Sequence, residues 1–108
     1  MSVVIDHHAF MESGKDHVVL DKTGTWRVSF PETEWKQNFA VEFYAPEGSG
    51  IQPSGTIPIS YNGNYGIEEG IFDLSIEDNA IESSMPVRLI DAEVSALPAN
   101  CRIVFYAR

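Results

Sequence analysis

A chain of 108 residues, 44% hydrophobic and 11% aromatic, has the size and composition of one folded domain rather than a disordered segment. Its formal charge is −9, and no Lys or Arg lies between Lys36 and Arg88 while eight carboxylates do. Such a surface lacks the cations that displace counterions from nucleic acid, and an anionic bilayer would repel it, so neither is an expected partner.

The single cysteine, Cys101, excludes an internal disulfide framework. No apolar run approaches the ~18 residues of a membrane-crossing helix. The opening MSVVIDHHAF has no basic n-region and no long apolar core, so it does not read as a secretory signal. A soluble protein made in a reducing cytoplasm is the expectation.

Strand periodicity dominates. SVVID (2–6) and HVVLD (17–21) are short apolar runs. TWRVSF (25–30) alternates, with Trp26, Val28 and Phe30 inward, and Pro31 ends it. PETEWKQN (31–38) fits a helical turn or a loop equally. FAVEFYA (39–45) puts Phe39, Val41 and Phe43 on one face, and PEGSGIQPSG (46–55) is a loop. In TIPISYNGNYGI (56–67), Asn62-Gly63 predicts a tight hairpin turn, and Pro58 predicts an edge or a bulge. From Gly70 to Glu77 a strand is expected with Phe72, Leu74 and Ile76 inside and Asp73, Ser75 and Glu77 outside. AIESS continues as loop or short strand, MPVRLIDAEV (85–94) reads as one strand, and CRIVFYAR (101–108) closes the chain. The last strand is apolar on both faces, which suits a central place in a sheet or a second face covered by a partner. About eight strands at short spacing predict an all-β, single-domain sandwich or jelly roll spanning 1–108, mostly antiparallel. Trp26, Phe30, Phe39, Phe43, Phe72 and Phe105 are its expected core.

Little in the chain points to catalysis. His7, His8 and His17 lie near Asp6, Glu12 and Asp16, but their spacing matches no metal-ligand pattern, and His7 and His8 should face opposite ways. DLSIEDNAIE has oxygen ligands of the kind calcium takes, without the EF-hand order. Glu68-Glu69 and Glu77-Asp78 diverge on extended backbone, so neither pair faces one cleft. Cys101 sits at an inward strand position, where a thiol is inert packing. There is no nucleophile elbow, P-loop or dinucleotide fingerprint. The expectation is a non-enzyme with no cofactor and no bound metal.

Residues suited to a partner surface are the aromatics Trp35, Tyr44, Tyr61, Tyr65 and Tyr106 and the acids Asp73, Glu77 and Asp78. LDKTGTWRVSFPETEWKQNFAVEFYA, followed by PVRLIDAEVSALPANCRIVFYAR, resembles in outline the small β-sandwich or jelly-roll capsid decoration (cement) proteins of tailed bacteriophages. Related modules occur in tail proteins. The shared features are the TGTW strand start, the aromatic-rich strand after it and a closing strand that opens on Cys-Arg. The resemblance implies a structural virion protein that binds capsid subunits, self-associates as a dimer or trimer, and turns an acidic face to water or to basic residues of the shell. A carbohydrate- or ligand-binding module, stacking sugars on Trp35, Tyr61 and Tyr65, is the alternative. An acidic inhibitor that imitates nucleic acid is a third reading.

Overall fold

The computed structural model describes residues 4–63, 66–76 and 79–108. Among them nine strands form and no helix does: β1 (His7–Phe10), β2 (His17–Leu20), β3 (Gly24–Ser29), β4 (Lys36–Tyr44), β5 (Thr56–Gly63), β6 (Gly66–Asp73), β7 (Ala80–Val87), β8 (Leu89–Val94) and β9 (Arg102–Ala107). They make two sheets, ordered β1-β3-β8-β5-β6 and β2-β9-β4-β7. The pairings are nested. β5 pairs with β6, β4 with β7, β3 with β8 and β2 with β9, all antiparallel. One long two-stranded ribbon with its tip at the β5–β6 hairpin has rolled up on itself, which is the connectivity of a jelly roll. Rolling brings β9 beside β4 and β8 beside β5, and these contacts complete the sheets. β1 adds in parallel at the β3 edge.

The core follows from alternation. Trp26 and Val28 from β3, Phe39 and Val41 from β4, and Ile103, Phe105 and Ala107 from β9 are all buried. Phe39 is the hub: its ring centroid lies 6.1 Å from those of Phe30 and Phe105 and 5.9 Å from that of Tyr61. Phe72 meets Phe105 edge-on at 6.4 Å. Phe43 packs against this cluster from a partly buried position. β9 lies between β2 and β4, as its two apolar faces predict, and Val104 is buried on its outer side.

At each corner both strands of the ribbon must bend together. The stretch 85–94 is therefore not one strand. β7 ends at Val87, Arg88 is the corner, and β8 starts in the other sheet. The partner arm bends at 30–35, where the Glu34 N–H donates to the Pro31 carbonyl at 3.0 Å in a turn rather than a helix. The Phe30 N–H donates to the Arg88 carbonyl at 3.0 Å and keeps the arms joined. At the next corner the Leu74 N–H does the same to the Gly55 carbonyl, also at 3.0 Å.

Other expectations are refined or overturned. The first strand begins at His7, not within 2–6; residues 1–3 lie outside the described ones. AIESS opens β7. Asn62 and Gly63 pair with Ile67 and Gly66 in the ladder rather than forming the turn; residues 64–65 lie outside the described ones. β6 stops at Asp73; Leu74 still tucks inside, but Ile76 lies beyond the strand and is 54% exposed. Pro58 is on an interior strand, yet the β5–β8 ladder covers only Ile59 to Tyr61. A residue without an N–H ends that ladder, and β5 is free of β8 beyond it.

Gly24 opens β3 under crowding. The Asp6 carboxylate accepts the Thr25 N–H at 2.8 Å, and the His7 Nε2 donates to the Thr23 carbonyl at 2.9 Å, with the His7 ring 4.6 Å from that of Trp26. Gly24 has φ +127°, and a Cβ there would lie 2.9 Å from Asp6 Oδ2. Gly24→Ala is predicted to cost about 2 kcal/mol, from positive φ plus the lost Asp6 clasp. Urea unfolding with Gly14→Ala as the comparison checks this, since the Gly14 Cβ position is open although its φ is also positive.

Candidate interaction surfaces

The outer face of the four-stranded sheet carries a tyrosine cluster. Tyr44 and Glu42 stand two apart on β4, so they share a face, and Tyr106 comes from the register Ala40↔Tyr106 on β9. The Tyr44 hydroxyl donates to the Glu42 carboxylate, and the Tyr106 hydroxyl reaches the same oxygen at 3.4 Å. Holding its proton for Glu42, and next for Tyr106, pushes the Tyr44 pKa well above the usual phenol range. The Arg102 guanidinium lies 5.1 Å over the Tyr44 ring, and the His17 ring is 6.0 Å from that of Tyr106. A shallow trough floored by Ala40 and Ala80 runs past Glu42, Tyr106, Asp16 and Arg108.

The outer face of the five-stranded sheet carries several acids and one internal ion pair, with His8 and the exposed Phe10 at its β1 edge. Arg27 and Asp91 lie opposite each other on β3 and β8, and the Arg27 Nε and Nη2 donate to the two Asp91 carboxylate oxygens at 2.8 and 2.9 Å. Glu69 and Glu93 have no ion-pair partner among the described residues. Where β5 leaves β8 at Pro58, a trough opens between Glu93 and Thr25 on one side and Glu69 and Ile71 on the other.

β6 borders that face and is an edge strand. Its outward residues include Ile67, 73% exposed, and Ile71, 64% exposed, with Glu69 between them. In an antiparallel pair alternate residues bond the neighbour and the others point away. The Leu74 N–H goes to the β5 side, so Ile67, Glu69, Ile71 and Asp73 direct their backbone groups to the open edge. At Asp73 that edge is already filled. The Asn79 side-chain amide accepts the Asp73 N–H at 3.0 Å and donates to the Asp73 carbonyl at 2.6 Å, imitating a paired peptide group.

The residues singled out from the sequence fall in different places. Tyr44 and Tyr106 come together at Glu42. Trp35 is 50% exposed in the β3–β4 connection. Asp73 is half-buried, and its carboxylate accepts the Ser75 N–H at 3.0 Å and hydroxyl at 2.6 Å, which turns the chain after β6 and lowers the Asp73 pKa. Tyr61, expected at the surface, is only 6% exposed: it shares the inward face of β5 with Ile57 and Ile59 and packs against Phe39. Tyr65, Glu77 and Asp78 lie outside the described residues. Ile67 and Ile71 were not singled out, although their period-two spacing with Glu69 was visible in IEEGI. No group of three or more His, Cys, Asp or Glu converges among the described residues; His7 and His8 are on the β1 edge and His17 is on β2 in the other sheet.

Two outcomes are expected. In a spectroscopic pH titration, Glu42→Gln brings the Tyr44 ionisation back towards the ordinary phenol range of about 10, while the wild-type residue stays protonated beyond it. For Asp73 the folded pKa is depressed, so its contribution is full above the ordinary 3.8 and is lost as pH falls through the lowered value. Asp73→Asn should flatten the fall of stability in that acid window, read by thermal melts from about pH 5 downward.

Comparison with protein-family models, with curated proteins and with solved structures gives no match for this chain.

Proposed function

We propose that the chain is a non-enzymatic docking protein, a decoration (cement) protein that binds and stabilises a virion shell. The observation that carries this reading is the pair of exposed isoleucines, Ile67 and Ile71, flanking Glu69 at the open β6 edge. Large apolar side chains set in a charged surface mark a place where another protein sits. Two things add support. The nested strand order is that of double-sheet jelly rolls, a fold used by viral capsid proteins and by lectins. The sequence also resembles, in the outline of its strands, the decoration proteins of tailed phages. In this role the protein bridges neighbouring shell subunits on the virion surface, copies meet through the lattice, and the acidic faces keep particles apart in solution.

A carbohydrate-binding reading draws on a different observation, the Tyr44–Glu42–Tyr106 cluster under Arg102, where two phenol rings stand among hydrogen-bonding groups. A glycan array with Tyr106→Ala as control tests it; signal that disappears in the variant favours it.

For the docking reading, lysate from the native source is sedimented through a density gradient and the chain followed by mass spectrometry. Stoichiometric travel with a megadalton particle is the expected result. Recovery only near the top, as monomer or small oligomer, contradicts it.

A further inference from the structure

We infer that β6 is a strand-addition edge, built to receive an extended segment of a partner protein with the pattern apolar–x–basic–x–apolar. The inference rests on the docking reading and names the partner's chemistry.

Sheets defend their edges with short strands, bulges, prolines or charged side chains, lysine above all, and an acidic edge repels other acidic strands while leaving a basic one free to pair. Three of the four edges here are defended. β1 and β2 are four residues each. β7 carries Pro86, and its register with β4 jumps from Lys36↔Val87 to Asn38↔Glu82, with the Gln37 side chain donating to the Ser83 carbonyl at 2.9 Å inside the bulge. β6 differs. It runs eight residues in unbroken one-to-one register with β5, with no proline, lysine or arginine. Its open backbone groups belong to Ile67, Glu69 and Ile71, the residues whose side chains also face outward. Asn79 closes the row at Asp73 and shows the bonding a guest strand would repeat.

Charge selects the guest. A second copy of this chain, pairing antiparallel about a two-fold axis, gains two Ile67–Ile71 contacts only in the register that sets Glu69 directly opposite its own equivalent. Like charges directly opposite disfavour that pairing. A basic residue in the same place, flanked at i−2 and i+2 by apolar ones, meets Glu69 and both isoleucines at once. Main-chain bonds give such a contact its affinity and the alternate side chains its specificity.

The test uses the protein's own Glu69→Lys variant as the guest, since its β6 has that pattern and the substituted side chain is exposed. Wild type and variant are examined alone and as an equimolar mixture by sedimentation velocity at low salt, with amide exchange read by NMR. The expected result is association in the mixture only, with the Ile67, Glu69 and Ile71 amides slowed about tenfold or more. Added salt and Ile71→Pro should each reverse it. A mixture that remains monomeric overturns the inference, as does wild-type self-association that protects the same three amides. Neither result bears on whether the protein travels with a particle, so the docking reading stands or falls separately.

Discussion

Everything in this molecule depends on one antiparallel ribbon staying paired while it rolls up. Four nested pairings, from β5–β6 at the tip to β2–β9 at the open end, need every strand to present its apolar residues to the same inside. Because side chains alternate along a strand, a slip of one residue in β4 or β9 would send Phe39 or Phe105 to solvent. The hydrogen bonds that bridge the corners, Phe30 to Arg88 and Leu74 to Gly55, hold the register where the ladder is interrupted. The aromatic hub around Phe39 then sets the distance between the sheets.

Rolling also decides what is left over. A rolled ribbon has two sheets and therefore four edges, and no helix lies among the described residues to cover them. The acidic stretch 67–82 divides accordingly. Glu69 stands on the outer sheet face, Asp73 turns the chain, and Glu68 accepts the Ser84 hydroxyl at 2.9 Å across the gap between the sheets. Only part of that negative charge therefore faces bulk water freely. The part on β6 lies beside two isoleucines, and that combination is what separates this edge from the others.

Much of the fold was legible in the residues. TWRVSF and FAVEFYA show their inner faces directly, and the two-sided apolarity of CRIVFYAR gives the central place of β9. What misled were local signals that long-range pairing overrode. Asn62-Gly63 has the chemistry of a turn, yet Tyr61 gains more by reaching the core, so β5 runs on. MPVRLIDAEV has no break residue at Arg88, because the bend there is imposed by the partner arm at Pro31 rather than by its own sequence. The surface was harder still. A tyrosine's exposure depends on strand parity, which put Tyr44 and Tyr106 outside and Tyr61 inside. The exposed isoleucines escaped notice because an apolar residue in a strand is normally assigned to the core.

The central claim is that β6 is paired on one side and open on the other. Amide hydrogen exchange of the free protein measures this residue by residue. The account predicts alternation along β6: slow exchange at Glu68, Gly70 and Phe72, fast exchange at Ile67, Glu69 and Ile71, and slow exchange again at Asp73, where Asn79 takes the N–H. Uniform protection across the strand, or protection of Ile67, Glu69 and Ile71 in the isolated chain, would contradict it.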